Sequence, residues 1–224
     1  MAPDAAAASP PGGDSGGVAY WRARAQAMGA RAVVSTDHDA ALHDVTAMHR
    51  ARLLPELAAL LALAPGGGDG TTPSRTVLDL GCGVGRLTGD LAALAGRAIG
   101  VDPVAELLAL APAAPAVEYR HLADPAGPLP LADGEVAAAF TCLVLGGLDG
   151  AALVAVGHEL ERVLAPCGIV LLAESVSDRP AVDHWAFRSA ADYAAALPWA
   201  GLQVVARFDD AGDAVSVMAG RKPA

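Results

Sequence analysis

The chain has 224 residues, 54% of them hydrophobic, and a formal net charge of −10. That length suits one domain with one sizeable core, and no apolar run reaches the roughly 18 residues that a membrane span needs. The acidic balance leaves no basic footprint for displacing counterions from a nucleic acid.

The opening stretch, MAPDAAAASPPGGDSGG, lacks the basic and Leu-rich segments of a signal peptide, so residues 1–17 read as a disordered tail. Val18 to Ala30 follows a helical pattern, with Tyr20, Trp21 and Arg24 in its first turns. Ser35, Thr36, Asp37 and Asp39 supply a capping cluster for a longer helix over 40–64. Leu53, Leu57, Leu60 and Leu61 stripe that helix, and Pro55 is placed to kink or split it. Pro65 to Arg75 is a Gly/Pro/Thr linker. Residues 18–65 thus read as an N-terminal helical cap, a substrate lid, and residues 75–224 as the main domain.

After the linker, strands and helices alternate. Strands are expected at Thr76–Leu80, Arg97–Asp102, Val117–Leu122, Glu135–Leu143 and Gly168–Glu174. Helices are expected at Val84–Leu94, Val104–Ala111, Ala151–Leu164 and Ser189–Leu197. Leu202–Phe208 and Ala214–Gly220 close the chain as two strands without a long helix between them. Repeated βα units predict an α/β fold with a mostly parallel sheet covered on both faces. The closing pair predicts an antiparallel hairpin at one edge.

The densest signal is the run VLDLGCGVGRL at residues 77–87. An apolar strand ends in an acid and a GxGxG turn, and a helix follows. Ligands of such sheets bind beyond the carboxyl ends of the strands, where the strand order reverses. A dinucleotide site normally reads GxGxxG, with the pyrophosphate on the helix N-terminus. Here the third glycine comes one residue early, and Asp79 just before the turn repels a pyrophosphate. A carboxylate there favours a cation such as the amino group of a methionine moiety. Asp102 ends the next strand, at the separation of a ribose-binding acid. It can accept from two adjacent hydroxyls, each bond contributing about 1.5–3 kcal/mol.

The series VLDLGCGVGRLTGDLA…AIGVDPV resembles the first two motifs of the class I S-adenosylmethionine-dependent methyltransferases. Leu129 to Gly134 (LPLADG) is similar to that family's approach to its fourth strand, and Glu161 to Glu174 to its RVLKPGGxLVLSE segment. The resemblance implies a three-layer Rossmann-like fold with a seven-stranded sheet, and S-adenosylmethionine as cofactor, leaving as S-adenosylhomocysteine. It also implies that Asp79, Gly81, Cys82, Gly83 and Gly85 line the methionine part. Asp102 would hold the ribose, with Pro103 beside the adenine and Asp124 reading the adenine amine. Thr141 and Cys142, through Leu143, would face the sulfonium. The chain departs from the family in lacking histidines after the fourth strand, where it reads Val144-Leu145-Gly146-Gly147-Leu148. Its PGG turn has become Pro166-Cys167-Gly168, a change expected to cost little.

Methyl transfer from a sulfonium needs an aligned nucleophile and a dry site more than a catalytic constellation. A base is needed mainly when the nucleophile must lose a proton. His38, His43 and His49 cluster around the start of the second helix, and His38 is the preferred base because it sits in the capping turn. Their spacing matches neither HxxxH nor HExxH, so no metal site is expected. Glu174 ends the fifth strand and is a second candidate for substrate binding or proton transfer. Tyr20 joins Trp21, Arg24 and Arg31 as a candidate substrate wall. His184, Trp185, Phe187 and Arg188 occupy a loop placed to close over the pocket. Cys142 reads as a small pocket residue rather than a nucleophile.

The expected activity is methyl transfer to a small-molecule acceptor, a specialised metabolite, by a cytoplasmic monomer or homodimer with neither nucleic-acid nor membrane partners. The rival readings are a catalytically silent binding protein, an enzyme that retains the cofactor for non-methyl chemistry, and an NAD(P)-dependent oxidoreductase.

Overall fold

A computed structural model of the chain describes residues 16–34, 39–63, 75–182, 184–210 and 212–224. Among them seven strands form one sheet: β1 (Arg75–Leu80), β2 (Gly96–Asp102), β3 (Val117–His121), β4 (Val136–Cys142), β5 (Leu164–Ser175), β6 (Gln203–Asp210) and β7 (Asp213–Arg221). Their order is β3-β2-β1-β4-β5-β7-β6. β1 to β5 pair in parallel, and β7 runs antiparallel to both β5 and β6. The closing hairpin therefore inserts β7 beside β5 and leaves β6 at the edge. β1 has buried residues on both faces, which is why its apolar residues run on without alternating.

Helices cover both faces. On one, α5 (Gly150–Val163) and α6 (Ala190–Ala196) pack with Leu78, Ile99, Val170 and Leu172. On the other, α2 (Asp39–Ala62) and α3 (Thr88–Ala95) pack with Val77, Phe140, Ile169 and Leu171. Leu53, Leu57 and Leu61 bury themselves in that same core, so the C-terminal half of α2 packs against the sheet. Each leucine buried in full contributes roughly 1.5–3 kcal/mol. Pro55 lies inside α2, which continues across it. A small third cluster joins α1 (Gly16–Met28) to α4 (Ala105–Leu108) through Val18, Ala25, Val104 and Leu107.

Two helices begin or end differently from the sequence expectation. The helix expected from Val84 starts at Thr88, because Gly83 and Gly85 hold left-handed backbone with φ of 55° and 71°. A right-handed helix cannot propagate through those positions. The helix expected to reach Ala111 stops at Leu108 and tightens into i→i−3 bonds, Leu110 N to Leu107 O and Ala111 N to Leu108 O. Pro112 disfavours helical backbone in the residue before it. α6 opens with a capping box between Ser189 and Asp192.

Candidate active site

The strand order reverses where β1 lies between β2 and β4, and a cavity of about 400 Å³ opens there. Small-molecule sites span roughly 300–1,000 Å³. The cavity's floor is the turn after β1 and the tip of β2. Its far wall is the end of β4, β5 and strands β6 and β7, and its roof comes from α1, α2 and the side chains of Val182, His184, Trp185 and Phe187.

Gly81, Gly83 and Gly85 all have positive φ. The amides of Gly81 and Cys82 donate to Val101 O at 2.7 and 3.2 Å, which ties the turn to β2. Packing also demands these glycines. A Cβ on Gly81 would lie 2.4 Å from Val144, one on Gly83 2.8 Å from Val33, and one on Gly85 2.2 Å from the Tyr119 hydroxyl. Gly81, Cys82 and Gly83 line the cavity; Gly85 lies behind it, under the Tyr119 ring.

Asp102 and Pro103 line the cavity. Asp102 Oδ1 accepts from Val104 N and Oδ2 from Gly83 N, both at 2.8 Å. Burial pushes its carboxyl up to about 6, against the pull of those two amides. Each oxygen keeps a lone pair for a ligand hydroxyl. Asp79 is placed differently from the expectation. It lies beneath the turn, off the cavity wall, accepting from Thr88 Oγ1 at 2.6 Å, and burial pushes it up to about 7. Asp124 is exposed and caps its own turn by accepting from Ala126 N at 2.9 Å, so the neighbouring Pro125 supplies the wall.

Strand alternation splits the two expected β4 residues. Cys142 lines the cavity, its thiol pushed up to about 12 by burial, which leaves it protonated and unreactive. Thr141 points to the other side and donates to Glu174 Oε1 at 3.0 Å. Glu174 is fully buried and off the cavity wall, which removes it from contact with substrate. Its Oε1 also accepts from the amides of Val144 and Leu145 at 3.1 Å, so it holds the segment after β4 in place. Desolvation pushes its carboxyl up to about 7.

Tyr20 lines the cavity, stacked on His184 with centroids 3.6 Å apart and the planes 9° from parallel. Arg24 Nε donates to Ala32 O and Nη2 to Val34 O, both at 3.1 Å, which folds α1 back over the site. The Trp185 indole covers Gly146, whose Cβ would meet it at 2.2 Å. His38 lies outside the described residues, and His43 is exposed on α2.

Of the three candidate histidines the structure brings His49 to the wall, and it adds polar residues there that the sequence reading had not assigned, among them Arg86, Ser175 and Asp210. A signal existed for His49, which precedes Leu53, Leu57 and Leu61 at four-residue spacing and so belongs to the buried stripe of α2. Nothing local marks Asp210, whose partner is 161 positions away.

A family model described as a methyltransferase domain matches residues 77–168. The match takes in the glycine turn, Asp102 and β4. A search of curated proteins gives no match. The chain is similar to the YcgJ protein from Bacillus subtilis at 14% identity and TM-score 0.60, over 76% of this chain and 99% of that one. It is similar to geranyl diphosphate C-methyltransferase from Streptomyces coelicolor A3(2) at 16% identity and TM-score 0.59, over 91% and 96%. That enzyme was solved with S-adenosyl-L-homocysteine. The [4+2]-cyclase SpnF also shares the fold, at 17% identity and TM-score 0.55, over 75% and 80%.

The family's cofactor is S-adenosylmethionine, and the residues present fit it. Asp102 offers the cavity an acid with lone pairs to spare. Gly81 and Gly83 put bare backbone on the same wall, and Val104, Leu107 and Pro125 make an apolar shelf beside it. Among the described residues no cluster of three His, Cys, Asp or Glu side chains is set to hold a metal ion, and no helix is long and apolar enough to cross a membrane.

Proposed function

We propose that the protein transfers a methyl group from S-adenosylmethionine to a small-molecule acceptor, a specialised metabolite. The observation that carries this reading is the placement of Asp102 and the Gly81–Gly83 backbone on one wall of the cavity at the strand-order reversal. When bound, the cofactor supplies an activated methyl group with a neutral leaving group. Asp102 accepts from the ribose hydroxyls, and Pro103, Val104, Leu107 and Pro125 enclose the adenine. Asp79 and Thr88 brace the glycine turn from behind. Glu174 positions the segment after β4 that divides the cofactor end from the acceptor end. The helices α1 and α2 form the lid over the acceptor, with Tyr20 and His184 as its stacked seam. Walls of Tyr, Trp, Val and Leu exclude water, which keeps the charges in the cavity strongly coupled.

The likeness to a [4+2]-cyclase favours a second reading, in which the cofactor is retained for chemistry other than methyl transfer; the same fold hosts both. Both readings require the cofactor. Asp102→Ala weakens S-adenosylhomocysteine binding at least tenfold in calorimetry, a loss of about 1.4 kcal/mol or more. Unchanged affinity rejects the ribose role.

A further inference from the structure

The acceptor end of the cavity holds a cluster that the cofactor does not use. His49 is 1% exposed, yet it lines the cavity. Its Nε2 lies 3.1 Å from Asp210 Oδ2. An ionised carboxylate only accepts, so Nε2 carries the proton and Nδ1 is the basic nitrogen of the neutral ring. Nδ1 faces Arg86 Nη1 at 3.4 Å and Cys142 Sγ at 3.7 Å. The first of these is long for a strong hydrogen bond, and a thiol is a weak donor. A better donor entering the cavity displaces either. Arg86 also donates to Thr46 Oγ1 at 3.2 Å and makes no ion pair among the described residues. The imidazole thus meets Asp210 from β6, Arg86 from the turn after β1 and Cys142 from β4, with Phe208 packed edge-on at 5.9 Å.

The walls add a second observation. The chain has only three Trp, three Tyr and three Phe. Tyr20, Trp21, Trp185 and Phe187 are all spent on this one cavity. Ser175 Oγ, buried on the same wall, has no hydrogen-bond partner among the described residues. Flat apolar walls, one basic nitrogen, one unpaired cation and one spare hydroxyl together describe a flat ring bearing an acidic O–H.

We propose that the acceptor is a hydroxylated aromatic compound, a phenol, and that His49 takes its proton. This rests on the methyl-transfer reading above. The phenol O–H donates to His49 Nδ1. The O–H bond breaks, its electron pair stays on oxygen, and the proton forms the Nδ1–H bond. The products are a phenolate and an imidazolium, so charge balances. Arg86 stands beside the phenolate, and Asp210 holds the ring's tautomer and faces the imidazolium. His49 is the catalytic residue and Asp210 a positioning residue. Ser175 hydrogen-bonds a second polar group on the ring.

The probe is 4-nitrophenol, added to the full-length protein saturated with S-adenosylhomocysteine, at a pH below the phenol's own pKa. Bound phenol shows the yellow phenolate absorption in the wild type. In His49→Gln the phenolate fraction falls at least tenfold, while S-adenosylhomocysteine affinity in calorimetry stays unchanged. The proton-free analogue 4-nitroanisole binds both proteins alike. Asp210→Asn, at a side chain 14% exposed, lowers the phenolate fraction severalfold and keeps the test open where His49→Gln does not fold. Absence of binding, neutral phenol bound to the wild type, or a phenolate band that survives both substitutions overturns the proposal. Failure of the wild type to bind S-adenosylhomocysteine overturns instead the cofactor reading on which it rests.

Discussion

The two ends of the cavity are made in different ways. The glycine end is backbone: left-handed Gly81 and Gly83 and their amides, with one acid at the tip of β2 that accepts from Gly83 N and Val104 N. All of it lies between Asp79 and Val104. The histidine end is side chains brought from α2, the turn after β1, β4, β5 and β6, and none of its members is near another in sequence. A site made of backbone tolerates no side chain where it has none. A site made of side chains tolerates exchange, and only its chemistry suffers.

The largest expected effect tests the first half of that contrast. Gly85→Ala adds a Cβ 2.2 Å from the Tyr119 hydroxyl at a φ of 71°. The strain and the overpacking together cost on the order of 3 kcal/mol. The thermal midpoint then falls by roughly 6–12 °C. A midpoint within about 2 °C of wild type would break the contrast. By the same reasoning His49→Gln changes phenol ionisation and leaves the cofactor end intact.

The next effect concerns pH. Burial raises Glu174 from its ordinary 4.5 to about 7. A raised acid contributes stability that is present below its unfolded pKa and lost as pH rises through the folded value. Wild-type stability without ligand therefore declines between about pH 4.5 and pH 7, with Glu174 responsible for about 2–3 kcal/mol. Glu174→Gln stays neutral and keeps an oxygen for the Val144 and Leu145 amides. Denaturant melts across that range show a shallower decline in the variant; parallel declines would show that the carboxyl does not titrate there.

The smallest effect lies away from both ends. Cys167 holds a left-handed φ of 61° near the start of β5, pinned by Arg221 Nη1 donating to its carbonyl at 2.9 Å. The sequence suggested that Cys in place of Gly there costs little, but that backbone favours glycine. Cys167→Gly gains about 0.5–1 kcal/mol in a denaturant melt, with S-adenosylhomocysteine affinity unchanged.

The same contrast explains what the sequence disclosed. The strands were readable because buried apolar runs such as Val77–Leu80 and Ile169–Leu172 have no other use, and the GxGxG turn because its residues are neighbours. The role of Gly85 was misread, since its partner Tyr119 comes from β3 and leaves no trace beside it. Asp79 looked like a ligand contact because sequence gives its position along β1 but not its depth below the turn. His38 was preferred over His49 on a capping argument. The buried stripe of α2 pointed the other way, and Asp210 could be found only once β6 was folded against that helix.

Burial raises the carboxyls of Asp79, beneath the glycine turn, and Asp102, on the cavity wall, to about 7 and about 6, so both hold part of a proton near neutrality. On the reading proposed above, a cationic ligand in the cavity would favour their ionised forms, and protons would leave as it arrives. The heat of association then includes the ionisation heat of whatever buffer receives those protons. Titrations in phosphate and in Tris would give different apparent enthalpies for the same event, and affinity would tighten from pH 5 to 7.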